Sequence, residues 1–209
     1  MKKVTYILAL SSLFLVSCGE DKPKEEHSVV KEHQEEEKKD PEVNLSELRE
    51  FDLSDYDLDA ILFIPERHYI DADEQDQLED PVIEHAEGEA FWNVMMRSDK
   101  NWDITIEDWG DEEQTIEGQK KIHQETSDVY DYNYIEEGKD YLLYQRALKM
   151  GSTTMDDKTA AKMPNYHFVV VKNIDGNYIT IKSNDMGEFR KISAKKMLNS
   201  ARATKSIKE

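Results

Sequence analysis

The stretch NYHFVVVKNIDGNYITIKSN, from Asn165 to Asn184, has two runs rich in β-branched residues on either side of the triplet DGN. β-branched side chains favour strands, and a glycine such as Gly176 takes the positive φ that a tight hairpin turn requires. The stretch therefore predicts a β-hairpin. In its first strand His167 alternates with Val169 and Val171, so these three side chains are expected on one face of a sheet.

Four stretches upstream have the length and apolar content of strands. They are AILFIPE from Ala60, AFWNVMM from Ala90, WDITIEDW from Trp102 and DYLLYQRAL from Asp140. Two further stretches have helical spacing. One carries Ile116, Gln119, Ile122, Thr126 and Val129 on one face; the other has Ser193 as its N-cap and Ala194, Met197, Leu198 and Ala201 on one face. Because most consecutive strands have no helix between them, we predict an α+β fold, an antiparallel sheet of about six strands with two helices packed on it.

The N-terminus has the three zones of a secretory signal. Lys2 and Lys3 give a positive start, an almost wholly apolar run follows from Val4 to Val16, and small residues lead to Cys18, the chain's one cysteine. The apolar run is shorter than the roughly 20 residues that a membrane-spanning helix needs. We therefore expect residues 1–17 to be a cleaved signal peptide.

The residues Leu15-Val16-Ser17-Cys18 resemble the lipobox of bacterial lipoproteins, in which an aliphatic residue and two small or aliphatic residues precede a cysteine. The resemblance implies a diacylglycerol on the Cys18 thiol, cleavage before Cys18 and acylation of the new amino group. The alternative is an ordinary secretory signal with an unrelated cysteine nearby. Because Gly19 and not an aspartate follows the cysteine, the resemblance further implies the outer membrane, on its periplasmic or surface side.

A charged segment separates the cysteine from the folded part. From Glu20 to Leu45 it contains ten acidic residues, five lysines, two prolines and no aromatic residue. Such a composition buries too little apolar area to offset the entropy of ordering, so residues 18–44 are expected to form a disordered tether. Residues 45–209 then form a single α+β domain, as their length suggests.

Charge is distributed unevenly along this domain. Residues 46–157 contain 32 acidic and 9 basic residues, a net charge of −23, whereas residues 158–209 contain 4 acidic and 11 basic residues, a net charge of +7. The acidic part argues against binding to nucleic acid or anionic lipid, because both ligands are negatively charged. Two interpretations stay open: a solvated surface that the basic part balances internally, or an acidic face that holds a basic partner protein.

The acidic stretch DADEQDQLED, from Asp71 to Asp80, partly matches an EF-hand calcium loop. Its first, third and fifth residues fit ligand positions, but Asp76 and Val82 stand where such a loop needs glycine and glutamate. A solvated loop is therefore expected, although the sequence leaves open whether the stretch holds a cation. No metal ligand and no cofactor-binding residue is assigned.

Two histidines invite a chemical interpretation. His85 lies between Glu84 and Glu87, but no second histidine has zinc-site spacing, so a surface position is expected. The run HFVVV at His167 resembles the histidine strand of papain-like peptidases, which need a cysteine nucleophile. The only cysteine is Cys18, which the lipobox assigns to lipid. We therefore predict that His167 is a buried, hydrogen-bonded core residue, and we assign no catalytic residue.

Aromatic residues are numerous for a chain of this length. Those on the predicted strands are expected in the core. In the run DVYDYNY, the residues Tyr130, Tyr132 and Tyr134 alternate with polar residues. They would share one face of an extended strand, and we expect them to be partly buried and partly exposed.

Several of these stretches together carry a family resemblance. FDLSDYDLDAILFIPE, WDITIEDW, the hairpin stretch and the closing helix resemble a family of uncharacterised bacterial lipoproteins over most of Phe51 to Arg202. The resemblance implies this order of elements and an envelope localisation, and it implies no particular chemistry. The order is also similar to that of PsbP/Mog1-type α/β sandwiches, in which an early strand ends in proline.

Three functional hypotheses follow. The first is a lipid-anchored envelope protein with a non-catalytic binding or accessory role. The second is an immunity-type inhibitor, an acidic domain that neutralises a basic toxin or enzyme. The third is a hydrolase that uses His167 or His85 with acidic partners, which requires these side chains to meet in one cleft. Because no catalytic motif occurs in the sequence, we favour the first.

Overall fold

The structure is a computed structural model that describes residues 40–70, 75–149 and 165–208. In chain order its elements are β1 (Leu48–Asp52), β2 (Ala60–Pro65), β3 (His68–Ile70), β4 (Asp76–Leu78), β5 (Val82–Glu84), β6 (Phe91–Met95), β7 (Asp103–Asp108), α1 (Ile116–Glu125), β8 (Tyr130–Glu137), β9 (Tyr141–Leu148), β10 (Asn165–Ile174), β11 (Asn177–Ser183), α2 (Lys191–Ala203) and β12 (Lys205–Ser206). The signal peptide, Cys18 and the tether up to residue 39 lie outside the described residues, as do residues 71–74 of the acidic stretch.

Seven strands form the principal sheet, in the order β5-β6-β7-β11-β10-β9-β8, and every neighbouring pair is antiparallel. Strand β2 pairs with β1 and β12 in a second, three-stranded sheet, and β3 and β4 form a two-stranded arm. Both helices contact the principal sheet. The predicted α+β class is confirmed, and the principal sheet has seven strands where about six were expected.

The hairpin of β10 and β11 lies at the centre of the principal sheet. Its strands stay in register from the pair Val169 and Lys182 up to the turn. The two turn residues, Asp175 and Gly176, have φ values of 53° and 98°. A two-residue turn with both φ values positive matches the right-handed twist of the flanking strands. Asp175 accompanies the expected glycine because aspartate is among the side chains that tolerate the left-handed region best.

The two faces of the principal sheet bury different side chains. On the α2 face, which packs against α2 and the three-stranded sheet, lies the main core, whose fully buried members include Leu62, Ile64, Ile104, Ile106, Phe168, Ile179, Ile181 and Met197. On the opposite face, the α1 face, lies a smaller cluster formed by Ile116, Leu142, Tyr144, Val169 and Val171. Strand β10 is therefore buried on both sides, which explains why its sequence is a continuous apolar run.

Helix α1 starts close to where the sequence predicts, but it buries a different stripe. Thr115 is its N-cap, and the Thr115 Oγ1 accepts a hydrogen bond from the Gly118 N–H at 3.0 Å. Ile116 and His123 are buried, whereas Ile122 is 49% exposed. The predicted stripe through Ile122 is therefore wrong. The helix instead turns its histidine toward tyrosine rings of the sheet, a contact that an apolar-periodicity argument does not anticipate.

Helix α2 buries the face that the sequence predicts, formed by Ala194, Met197, Leu198 and Ala201. The prediction of Ser193 as its N-cap is wrong, because the helix already begins at Lys191. Arg190 holds the N-cap position without a side-chain hydrogen bond. An arginine side chain has no acceptor for the free N–H groups of the first turn, so no capping signal marks the true start.

Strands β1, β3, β4, β5, β8 and β12 were not predicted from the sequence. Five of them have two to five residues, and most of their positions are exposed or half-buried, so their apolar pattern is weak. Strand β8 is longer and forms one edge of the principal sheet. Its Tyr130, Tyr132 and Tyr134 pair with alternating positions of β9 and share one face, as expected.

Candidate functional site

His167 is the third residue of β10 and is fully buried. Its Nδ1 is 2.9 Å from the Ser183 Oγ on the neighbouring strand β11. The imidazole stacks on the Tyr144 ring with 5.7 Å between centroids, and the Phe189 ring meets it edge-on at 5.8 Å. Because the β10–β9 register places His167 opposite Tyr144, the ring lies on the α1 face with Val169 and Val171. The predicted burial, facing and hydrogen bonding of His167 are therefore confirmed.

The pairing of His167 with Ser183 does not form a nucleophilic site. Ser183 is also buried, and its Oγ accepts the Phe168 N–H at 3.3 Å. Burial lowers the pKa of His167 to about 3, so the ring is a weak base at neutral pH. A general base needs contact with the substrate and a pKa near the working pH. The fully buried His167 ring meets neither of these two conditions. Within the described residues, no carboxylate forms a hydrogen bond with this ring.

His123 forms a second buried imidazole on the same face. Its ring stacks on Tyr132 with 4.3 Å between centroids and 8° between planes, and it lies 4.5 Å from the Tyr144 ring. Its Nδ1 is 3.3 Å from the Tyr134 hydroxyl. Burial lowers the pKa of His123 to about 4. We call the five rings of His123, Tyr132, Tyr134, Tyr144 and His167 the aromatic cluster.

Strand register explains why the aromatic cluster forms. Tyr134, Tyr144 and His167 are directly opposite one another across β8, β9 and β10. Side chains on directly opposite antiparallel positions lie within about 5 Å at Cβ, which suits ring stacking. Burial raises the pKa of Tyr144, so the cluster holds neutral groups at neutral pH. The aromatic cluster therefore has a packing role, and its rings hold α1 against the sheet.

Replacing His167 tests the structural role. His167→Ala leaves the Ser183 hydroxyl without its partner in a buried position, which should cost about 1–3 kcal/mol of unfolding free energy. We expect a lower melting temperature and, below it, unchanged binding of any partner. Thermal unfolding measures the first, with exposed His68→Ala as a control that should stay close to wild type. Full stability together with lost function would indicate a catalytic histidine instead.

His85 is not the surface residue that the sequence suggests. Its side chain is 7% exposed and stacks on Trp92, with 4.7 Å between ring centroids and 10° between planes. Its Nδ1 donates a hydrogen bond to the Phe91 carbonyl oxygen at 2.9 Å, and its Nε2 is 3.7 Å from Asp57 Oδ2. The prediction is wrong because a tryptophan seven positions downstream provides a flat surface that covers the imidazole.

The two histidines do not converge on one cleft. Trp92, on which His85 stacks, is opposite Ile106 and belongs to the main core on the α2 face. His167 lies on the α1 face. The described residues also hold no group of three or more histidine, cysteine, aspartate or glutamate side chains that could bind a metal ion. The arrangement required by the hydrolase hypothesis is therefore not met by these two side chains.

Two open clefts of similar size lie elsewhere on the described surface. One, of about 650 Å³, lies between the start of α1, the end of the central hairpin and the residues after α2, and its charged lining includes Glu113, Lys139, Asp140, Lys172 and Lys205. The other, of about 660 Å³, lies beside the two-stranded arm and is lined by Tyr69, Leu78, Val82 and Arg97 among others. Neither contains a set of convergent groups of one charge, so neither indicates a particular small ligand.

Ion pairs join the basic C-terminal part of the chain to its acidic part. They are Lys182 with Glu107 at 2.8 Å, Lys195 with Glu136, Lys196 with Glu47 at 2.8 Å, Lys205 with Glu50 at 2.8 Å and Lys208 with Asp59 at 3.6 Å. The internal balancing of charge considered from the sequence therefore occurs. Each exposed pair adds little to stability, but together they neutralise part of the acidic surface.

No protein-family model matches the chain, and no curated protein matches its sequence. Among the helices of the described residues, none combines the length and the apolar character needed to cross a bilayer. Function must therefore be argued from the residues themselves.

Proposed function

We propose that this protein is a lipid-anchored protein of the bacterial envelope whose folded domain has a binding or accessory role and performs no chemistry. The observation that carries the proposal is the motif Leu15-Val16-Ser17-Cys18 behind a short apolar run. Lipoprotein-type processing would place more than one acyl chain at Cys18. Acyl chains contribute about 0.8 kcal/mol per buried CH₂, and two or more chains give stable anchoring.

Three of the four histidines in the described residues support a binding role over a catalytic one. His123 and His167 are buried among aromatic rings with lowered pKa values, and His85 is covered by Trp92. None of the three presents an accessible imidazole beside a nucleophile. Binding domains need an exposed recognition surface and no activated side chain, and this requirement fits the set of residues better.

Removing the cysteine tests the anchor. Cys18→Ala should abolish metabolic labelling of the protein with palmitate, because the acceptor thiol is gone, and should shift the protein out of the membrane fraction. Ser17→Ala is the matched control, since a small residue remains before the cysteine and labelling should persist. The lipid label is the decisive readout, because an uncleaved signal peptide can itself retain some protein at the membrane. A Cys18→Ala protein that still carries the label contradicts the proposal.

Gly19 extends the proposal to a particular membrane. With glycine after the lipidated cysteine, we place the protein at the outer membrane, on its periplasmic or surface side. The charged tether of residues 18–44 would then separate the domain from the lipid surface.

A second candidate function is inhibition of a basic toxin or enzyme. The net charge of −23 over residues 46–157 favours it, because the ion pairs with the C-terminal lysines neutralise only part of that charge. Both candidates require an exposed surface that recognises another molecule.

A further inference from the structure

The cleft of about 660 Å³ beside the two-stranded arm combines apolar and polar lining residues. Tyr69 and Gln77 are directly opposite each other in the arm, so they share one face of it, and both line the cleft. Pro81 and Val82, where β5 begins, line it as well. The Tyr69 side chain is 48% exposed, so its ring is accessible to a ligand. We call this cleft the arm cleft.

The arm cleft contains one cation that the fold leaves unpaired. Arg97 is exposed and forms no hydrogen bond or ion pair within the described residues. The two carboxylates among the lining residues, in contrast, already have partners. Glu79 is buried and accepts hydrogen bonds from the Ser98 N–H at 2.9 Å and from the Ser98 hydroxyl. Asp80 pairs with the Arg49 guanidinium at 2.7 Å. A ligand in the cleft would therefore meet the unpaired charge of Arg97.

Strand edges beside the arm cleft favour a peptide as the ligand. Strand β4 pairs with β3, and β5 is the outermost strand of the principal sheet, so each has one edge with no strand partner in the described part of the chain. The N–H and C=O groups on such an edge can hydrogen-bond an extended peptide. An acyl chain would bury these polar groups without hydrogen bonds, which costs free energy.

We propose that the arm cleft binds the C-terminal end of a partner polypeptide, with its apolar side chains against Tyr69 and Val82 and its terminal carboxylate on Arg97. A guanidinium group binds a carboxylate through two parallel hydrogen bonds. A C-terminus suits this cleft better than an acidic segment, because it brings a single negative charge to a domain whose residues 46–157 have a net charge of −23. This inference rests on the proposed binding role and is independent of the lipid anchor.

Paired peptides test the contact with the carboxylate. The full chain in nonionic detergent is titrated with the peptide Gly-Ser-Gly-Leu-Leu-Leu, fluorescently labelled at its N-terminus, and fluorescence anisotropy gives the Kd. We expect the C-terminal amide of this peptide to bind about tenfold more weakly than the free acid, because the amide offers Arg97 no charge.

An arginine variant assigns that preference to one side chain. In Arg97→Gln the free acid should bind about tenfold more weakly than in wild type, and the free acid and the amide should then bind equally. Arg190→Gln is the matched control, because exposed Arg190 lies at the N-cap of α2 and not among the residues of the cleft. This control should keep the wild-type preference for the free acid.

Two neighbouring residues of β3 test the apolar wall. Tyr69→Ala should weaken binding of both peptides by about tenfold, because the ring against the leucine side chains is lost. Ile70→Ala is the control: Ile70 is 67% exposed, and as the next residue of the strand it lies on the opposite face of the arm. Binding to this control should stay unchanged. Both positions are exposed, and melting temperatures verify folding.

Four results would overturn the inference. They are no binding of the free-acid peptide, equal binding of acid and amide to wild type, octanoate that competes as well as the peptide, and self-association in sedimentation that Arg97→Gln abolishes. The third result would assign the cleft to an acyl chain, and the fourth would assign it to a second copy of this chain. None of these results bears on the palmitate label at Cys18, so a failed anchor and a failed docking cleft are distinguishable.

Discussion

At pH 5 the folded protein should be less stable toward unfolding than at pH 7 by about 4 kcal/mol, because two histidines are buried in their neutral form. Burial lowers the pKa of His167 to about 3 and that of His123 to about 4. In the unfolded chain both return to about 6.5. Between these values the unfolded chain binds more protons than the folded protein, so stability falls as the pH falls below 6.5.

The size of the effect follows from the proton linkage. One pKa unit corresponds to about 1.4 kcal/mol, and between pH 7 and pH 5 each histidine contributes about 2 kcal/mol. Carboxylates with lowered pKa values, such as Glu47, Asp52 and Asp175, lose their stabilising contribution only near pH 4 and below. Asp103 acts in the opposite direction, because burial raises its pKa and the folded protein takes up that proton first. The interval from pH 7 to pH 5 therefore reports mainly on the two histidines.

Urea unfolding at pH 7 and at pH 5 measures the difference. The variant His123→Gln/His167→Gln should lose most of the pH dependence, whatever its stability at pH 7. His68→Gln is the control, because Asp76 and Glu66 raise the pKa of exposed His68. That histidine stabilises the fold below its unfolded pKa and ceases to do so as the pH rises, so its removal should leave the acid loss intact or slightly larger. Equal wild-type stability at the two pH values contradicts the prediction.

Gly138→Ala should destabilise the protein by about 3 kcal/mol. Gly138 lies in the β8–β9 turn, where its N–H donates to the Tyr141 carbonyl at 3.0 Å. A Cβ at Gly138 would lie 2.0 Å and 2.5 Å from two carbons of the Tyr141 ring. That ring is buried, and the Arg202 guanidinium covers it at 4.3 Å from the centroid. The added methyl group must displace the ring or the turn, and overpacking of this kind costs about 1–3 kcal/mol or more.

A double-mutant cycle identifies the cause of that loss. In a Tyr141→Ala background the ring is absent, so Gly138→Ala should have almost no further effect on urea unfolding. Gly118→Ala is the matched control, because the nearest atom to its added Cβ is the Thr115 Oγ1 at 3.3 Å. Alanine also favours a helix over glycine by up to about 1 kcal/mol, so this control should be neutral or slightly stabilising. Additive losses at Gly138 and Tyr141 would show that the ring is not responsible.

Local sequence patterns predicted the elements whose own residues carry a strong periodic or turn signal. The central hairpin follows from its turn and its β-branched runs, and the buried face of α2 follows from helical spacing. The edge strands β5 and β8 did not follow, because their pairing depends on strands whose register no local pattern specifies. The stripe of α1 was wrong for a similar reason: His123 is buried by tyrosines of β8 and β9.

The candidate sites also divide into features that a local pattern specifies and features that depend on tertiary contacts. Burial of His167 was predicted from the alternation in its own strand. Burial of His85 depends on stacking against Trp92, a tertiary contact that no local pattern in the sequence specifies. Lipidation of Cys18 is predicted from the sequence motif alone and stays a prediction.

The central position of the last hairpin determines when the chain folds. Strands β10 and β11 are made last among the long strands, yet they join the β5-β6-β7 group to the β9-β8 pair. A chain that emerges from its N-terminus, during synthesis or export, therefore carries two strand groups with open inner edges. Their junction has to await Asn165 and the residues after it, since closing long loops precedes the contacts that stabilise them. We expect the nascent chain to stay unfolded, and hence able to pass through a translocation channel, until its C-terminal end is released.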